Sequence, residues 1–398
     1  MTTNPLMPIV IKYDEYNVTS KDMGRLLSAL KHPNRIREID LKLNSAELDK
    51  FFRFKATKCP FPALDSLTIY DKRRGSLKVP ATFLKGTNLR LRLRSLDLAP
   101  ISLDSVSRLL SSATALTDLF LVIDGYCHVP NLSRLRSQLQ GLPHLRYLNL
   151  TMTCFANFPV QLSGLTEPKE SFPLAKLTSF NYRGLGTFLE FLMMGFKAPS
   201  IQSVNILLNN PTMALLPLPR LAQFISGAEK HHHAVHVVLK RNYFDFSLLT
   251  PSESVDRFSL CLILHPPLFR GSEIQNWMMG VASVFSAKLS TVEELVLIND
   301  SDARGEEVIP WRTLFELFPS VKNFRIQGTD NRRVASALRP YYSGINHSVL
   351  PALEKITLSI TSDIANRSSE LAVFQPFVTA RQQAGRQVQV TCSLFPFD

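Results

Sequence analysis

An α/β fold built by repetition is what the sequence predicts, with a parallel sheet on one face and helices or irregular returns on the other. Three observations carry this. The pattern Leu-x-x-Leu-x-Leu recurs along the 398 residues, its copies fall at similar intervals, and amphipathic segments fill the gaps. Clean copies are LRSLDL from Leu93, LTDLFL from Leu116, LRYLNL from Leu145 and LEKITL from Leu353. Looser ones begin at Ile36, Leu64, Leu177, Ile201, Val255, Val292 and Val321. From Ile36 to Ile201 the anchors are separated by 28, 29, 23, 29, 32 and 24 residues, and from Val292 to Leu353 by 29 and 32. Such a period is that of a leucine-rich-repeat solenoid, whose units run to roughly 20–29 residues.

Residues 1–35 read as an N-terminal capping segment containing a helix in SKDMGRLLSAL after Thr19. Residues 36–398 then form an irregular solenoid of about 12 units, each depending on its neighbours to cover its apolar face. Within a unit the last three apolar positions alternate with polar ones, which is the period of a half-buried strand. In LRYLNL this sends Leu148 and Leu150 inward and Tyr147 and Asn149 outward. The segment after Ile101 places Leu103, Val106, Leu109 and Leu110 on one helical face, with Ser102 as its cap. After Pro130, Leu132, Leu135 and Leu139 repeat the design, and Gly141 stops the helix. ELAVFQPFVTARQQAG after Ser369 is another return helix, and the Met193–Met194 and Met278–Met279 pairs read as core. The 54-residue gap from Ile201 to Val255 has room for an extra strand at AVHVVL from Ala234. Asn44 and Asn209 occupy the turn position where repeats of this kind often carry asparagine, so varied turns are expected.

Outward strand positions are the candidate contacts for a protein target. They are Asp40, Thr68, Asp97, Phe120, Asn149, Asn181, Asn205, Val238, Ser259, Val296, Arg325 and Thr357. Phe120, Val238 and Val296 stand out as exposed apolar anchors of the kind that dominate interfaces.

The net charge is +12, from 45 basic and 33 acidic residues, and it is uneven. Residues 51–100 hold 11 basic against 3 acidic side chains. Lys72, Arg73 and Arg74 are consecutive, while Arg90, Arg92 and Arg94 alternate with leucines and would share one face of a strand. A solvated edge accounts for such a patch, and so does a dock for an acidic or phosphorylated partner. Association with nucleic acid is the alternative function, although no nucleic-acid module or aromatic interleaving accompanies the charge. The five cysteines are far apart and lack metal spacing, which suits a reducing, cytoplasmic or nuclear setting. No segment has a signal-peptide core or the length of a membrane span.

No catalytic, cofactor or metal constellation emerges. Phosphate-binding and dinucleotide-binding loops and the nucleophile elbow are missing. The Gly184–Gly186 pair reads as a turn after a strand. His231, His232 and His233 are adjacent and cannot all face one ion, so they read as a polar turn before Ala234. Asp300, Asp302, Glu306 and Glu307 lack the spacing of a calcium loop.

The segments between strands resemble those of the fungal F-box leucine-rich-repeat proteins. The matching stretches are LLSSATALTDLFLVIDG (109–125), QLQGLPHLRYLNL (138–150), FPLAKLTSFNYRGLGTFLEFLMMGFKAPSIQSVNI (172–206), WRTLFELFPSVKNFRI (311–326), NRRVASAL (331–338), LPALEKITL (350–358) and FQPFVTARQQAGRQVQV (374–390). The resemblance implies a non-catalytic receptor that holds a substrate for a cullin-based ubiquitin ligase, without cofactor. An F-box, the helical module that would dock on the ligase adaptor, is not evident ahead of Ile36. Adaptor contact is therefore expected through a missing or separate module.

Overall fold

The computed structural model describes residues 7–14, 19–54, 60–72, 77, 79–80, 83, 92–124, 132–153, 171–209, 218–227, 232–240, 243–250, 259–265, 271–299, 310–328, 331–339, 349–359 and 364–393. They form an α/β structure with mostly parallel sheet, in two compact units, Met1–Ile201 and Gln202–Asp398.

In the first unit the strands are β1 (Ile9–Asp14), β2 (Ile36–Leu43), β3 (Ser66–Asp71), β4 (Ser95–Ile101), β5 (Asp118–Asp124), β6 (Tyr147–Thr153) and β8 (Ser179–Gly184). They lie side by side in that order, every pair parallel. Parallel neighbours require a crossover, and helices supply it. These are α1 (Ser20–Ala29), α2 (Ser45–Arg53), α3 (Leu103–Ser112), α4 (Leu132–Gln140) and α5 (Gly186–Met193). A two-residue pair, β7 (Phe172–Pro173) with β9 (Phe196–Lys197), makes a separate small parallel patch.

The apolar pattern builds the core as expected. Anchors Ile36, Leu64, Leu93, Leu116, Leu145 and Leu177 are buried, as are the inward pairs from Ile39 and Leu41 to Phe180 and Tyr182. Helix α3 packs on α4, and α4 on α5. Arg136 of α4 is buried over the Phe172 ring, 4.7 Å from its centroid, so the aliphatic stem and cation both serve packing. Ser102 does hold the cap position of α3, but its hydroxyl meets that of Ser105 at 2.8 Å rather than a backbone N–H. Asn44 has a clearer role: its side chain accepts from the Glu47 N–H, and Glu47 returns to the Asn44 N–H, a reciprocal cap that starts α2. Residues ahead of Ile36 contribute β1, paired along β2.

The second unit contains β10 (Ser203–Asn209), β11 (Ala234–Lys240), β12 (Tyr243–Leu249), β13 (Ser259–His265), β14 (Glu294–Asn299), β15 (Asn323–Gly328), β16 (Lys355–Ser359) and β17 (Gln389–Ser393). Its helices are α6 (Pro219–Gly227), α7 (Gly271–Leu289), α8 (Trp311–Phe315), α9 (Asn331–Leu338) and α10 (Ile364–Gln383). Each helix from α6 onward packs on the next, and α10 also packs on β17. Met193 is core, whereas Met279 on α7 is 40% exposed, against the expectation for its pair.

Here the strand order departs from simple repetition: β10-β13-β12-β11-β14-β15-β16-β17. β11 pairs antiparallel with β12, and β12 antiparallel with β13, inside an otherwise parallel array. The reason lies in YFDFSLL, which buries Phe244, Phe246 and Leu248 on one face and turns Asp245 and Ser247 to the other. Its strict alternation makes an additional strand, and a short connection from β11 permits only antiparallel pairing.

Candidate functional site

Register decides which outward side chains become neighbours. In the first unit the Cα partners run Lys12, Asp40, Thr68, Asp97, Phe120, Asn149 and Asn181, one residue from each strand. All six candidates from this half of the sequence therefore share one row. Each of the six is part-exposed between buried flanks. Strands about 4.8 Å apart make the row roughly 29 Å long, the scale of a macromolecular contact.

Its chemistry changes along its length. At one end Lys12 pairs with Glu38 at 2.8 Å, and Asp14 bridges Lys42 at 3.1 Å and Lys72 at 2.8 Å. Lys72 is thus engaged by Asp14 with a side chain only 11% exposed, so it does not belong to an open basic patch as expected. Asp40 and Asp97 face each other across Thr68. Burial, then the Asp40 carboxylate, pushes the Asp97 carboxyl up to about 6, while Lys42 opposes the shift. Toward the other end Phe120 stacks on Tyr147 with ring centroids 4.7 Å apart. Asn181 donates from Nδ2 to the Tyr147 hydroxyl at 2.5 Å, holding the aromatic pair in place. Tyr147, like Lys12, is an outward neighbour of the row that is absent from the candidate contacts; the alternation in LRYLNL already points it outward.

The second unit has a comparable row: Asn205, Cys261, Ser247, His236, Val296, Arg325, Thr357 and Thr391. Asn205 and Arg325 are exposed in it as expected. Val296, expected to be an exposed anchor, is 2% exposed. Arg325, its register partner, reaches diagonally to Glu294 on the strand of Val296 at 2.6 Å, a course that shields the smaller side chain. Val238 is displaced by two residues into the adjoining row, between Asp245 and Ile298, and His236 takes the expected place. Ser259 likewise pairs with Ser203 and not with Asn205.

Sequence reading missed Asp245 and Ser247 with their strand, and Cys261 beside them. Ser247 Oγ and Cys261 Sγ both donate to Asp245 Oδ1, at 2.7 and 3.2 Å. Burial, followed by the nearby carboxylate, pushes the Cys261 thiol up to about 12, so it stays protonated and unreactive at neutral pH. Burial also lowers His236, favouring neutral imidazole. Among the described residues no three His, Cys, Asp or Glu side chains are grouped to hold a metal ion.

Of the expected row Arg90, Arg92 and Arg94, the two described arginines, Arg92 and Arg94, precede the strand and do not lie on its face. β4 begins only at Ser95, and Leu93 ahead of it is its buried entrance. Arg92 and Arg94 are exposed before the strand. Arg73, Arg74, Arg90 and His231 lie outside the described residues, as do Asp300 to Glu307. No described helix is long and apolar enough to cross a membrane.

Neither the protein-family models nor the curated proteins compared with this chain match it.

Proposed function

We propose that this chain is a leucine-rich-repeat recognition protein of the F-box-related type, which holds a protein target on its outward strand row. The observation that supports this best is the register of the first unit. It brings Asp40, Thr68, Asp97, Phe120, Asn149 and Asn181 together from separate strands. A rigid sheet fixes such side chains in position without the ordering cost of a loop. The mixture also suits a protein partner: a central aromatic pair supplies apolar contact, and the amides and carboxylates around it give direction. The inter-strand segments add the resemblance to ligase substrate receptors, and with it a cytoplasmic or nuclear setting.

The test is affinity purification with the intact chain and with an Asp40→Ala, Phe120→Ala, Asn149→Ala variant of unchanged melting temperature. Specific proteins retained by the first and lost by the variant are expected, with a cullin adaptor among the co-purifying subunits. Retention of the same set by both would remove the row from recognition, and absence of adaptor would remove the ligase role.

A further inference from the structure

One residue stands at the entrance of each strand, just ahead of the outward positions, and its backbone ties it to the next strand's entrance. Arg37, Asp65, Arg94, Thr117, Arg146 and Thr178 are linked in that order, each carbonyl accepting the next N–H at 2.8 Å. They therefore form a continuous rim. His233, Glu293, Lys322 and Glu354 are joined in the same way in the second unit.

The two rims differ in charge. In the second unit acids and a base alternate: Glu293 pairs with Lys322 at 2.9 Å, Glu354 follows, and His233 lies 3.8 Å from Glu293. In the first unit Arg37, Arg94 and Arg146 are exposed, and no described carboxylate pairs with any of them. Asp65 is the one acid on that rim, while Arg92 and Lys176 add exposed positive charge close by. Exposed guanidinium groups stay charged and match carboxylates in a bidentate manner.

Spacing identifies the ligand further. The three arginines enter β2, β4 and β6, alternate strands, and so recur about every 9–10 Å. An extended chain of polyproline II type repeats every three residues, or about 9.3 Å. We infer that this rim captures an extended acidic polypeptide segment carrying carboxylates at every third residue. Asp65, with Glu38 and Asp118 just beyond the rim, disfavours a continuous phosphate backbone but leaves room for spaced carboxylates. This inference rests on the proposal that the target is a protein.

Fluorescence anisotropy on the full chain tests it with three labelled probes. These are a serine-rich peptide with glutamate at every third position, a peptide of identical composition with consecutive glutamates, and an oligothymidylate of equal charge. The spaced peptide is expected to bind tightest and to weaken with salt. Combined Arg37→Glu, Arg94→Glu and Arg146→Glu should cost about tenfold in affinity, since each reversal removes an exposed pair and adds a repulsion. Arg146→Gln alone should give a smaller loss, should the triple variant not fold, and Lys322→Glu none. Unchanged binding by the rim variants, equal binding of the clustered peptide, or tighter binding of oligothymidylate would overturn the proposal. The Asp40, Phe120, Asn149 alanine variant should still capture the spaced peptide, so failure of the row and failure of the rim are separable.

Discussion

Asp97 shows how one repeat position acquires an unusual chemical character. On an isolated strand it would be an ordinary solvated carboxylate. Packing beside other strands removes water from it, and the register places Asp40 two strands away, so its proton is held up to about 6. An acid whose folded value lies above its unfolded value, near 3.9, favours the folded chain at low pH. That advantage is lost as pH rises from about 4 through 6, after which the charged form is a standing cost. Asp97→Asn should therefore flatten the fall in melting temperature between pH 4.5 and 7 and gain most above pH 6. Parallel melting curves for the two proteins across that range would show the shift to be absent. The pair is legible in sequence only as outward residues; its electrostatic coupling depends on register, which residue types alone do not specify.

Elements were readable wherever the apolar anchor accompanied the alternation. LRSLDL, LTDLFL and LRYLNL announce β4, β5 and β6 because a buried entrance residue precedes two inward ones. YFDFSLL lacks that entrance residue, so β12 was hidden within a return, and its antiparallel insertion displaced Val238 and Ser259 from the expected row. Burial of Val296 was hidden for another reason: the diagonal reach of Arg325 to Glu294 crosses strands. Helix starts were partly legible. Asn44 was conspicuous as a turn residue, and the structure gives it a reciprocal cap with Glu47. Replacing it by Ala should cost about 1 kcal/mol of stability, whereas Asp should recover most of the loss, because either side chain accepts from the third N–H. Denaturant titration measures both. Equal stability of Asn44→Ala and the parent chain would show that tertiary packing alone starts α2.

On the scale of the whole molecule, local neighbours carry the stability, as strands and helices pack mainly on those next to them. An element with a neighbour on one side only should then open at lower cost than one enclosed on both sides. β1 is such an edge of the first unit: it pairs with β2 alone, and Val10 is 51% exposed. β17 is the corresponding edge of the second, paired with β16 and backed by α10. By contrast β5 lies between β4 and β6, with Leu119, Leu121 and Ile123 all buried. Native-state hydrogen exchange should record a gradient in each unit, with amides of β1 and β17 exchanging at least about 100-fold faster than those of β5 and β15. Such a ratio corresponds to an opening difference of only about 3 kcal/mol, well inside the range between fraying and global unfolding. Peptide-resolved deuterium uptake at constant pH would measure it. Uniform protection from edge to interior would mean that each unit opens as a single cooperative body, and that nearest-neighbour stacking does not set its stability.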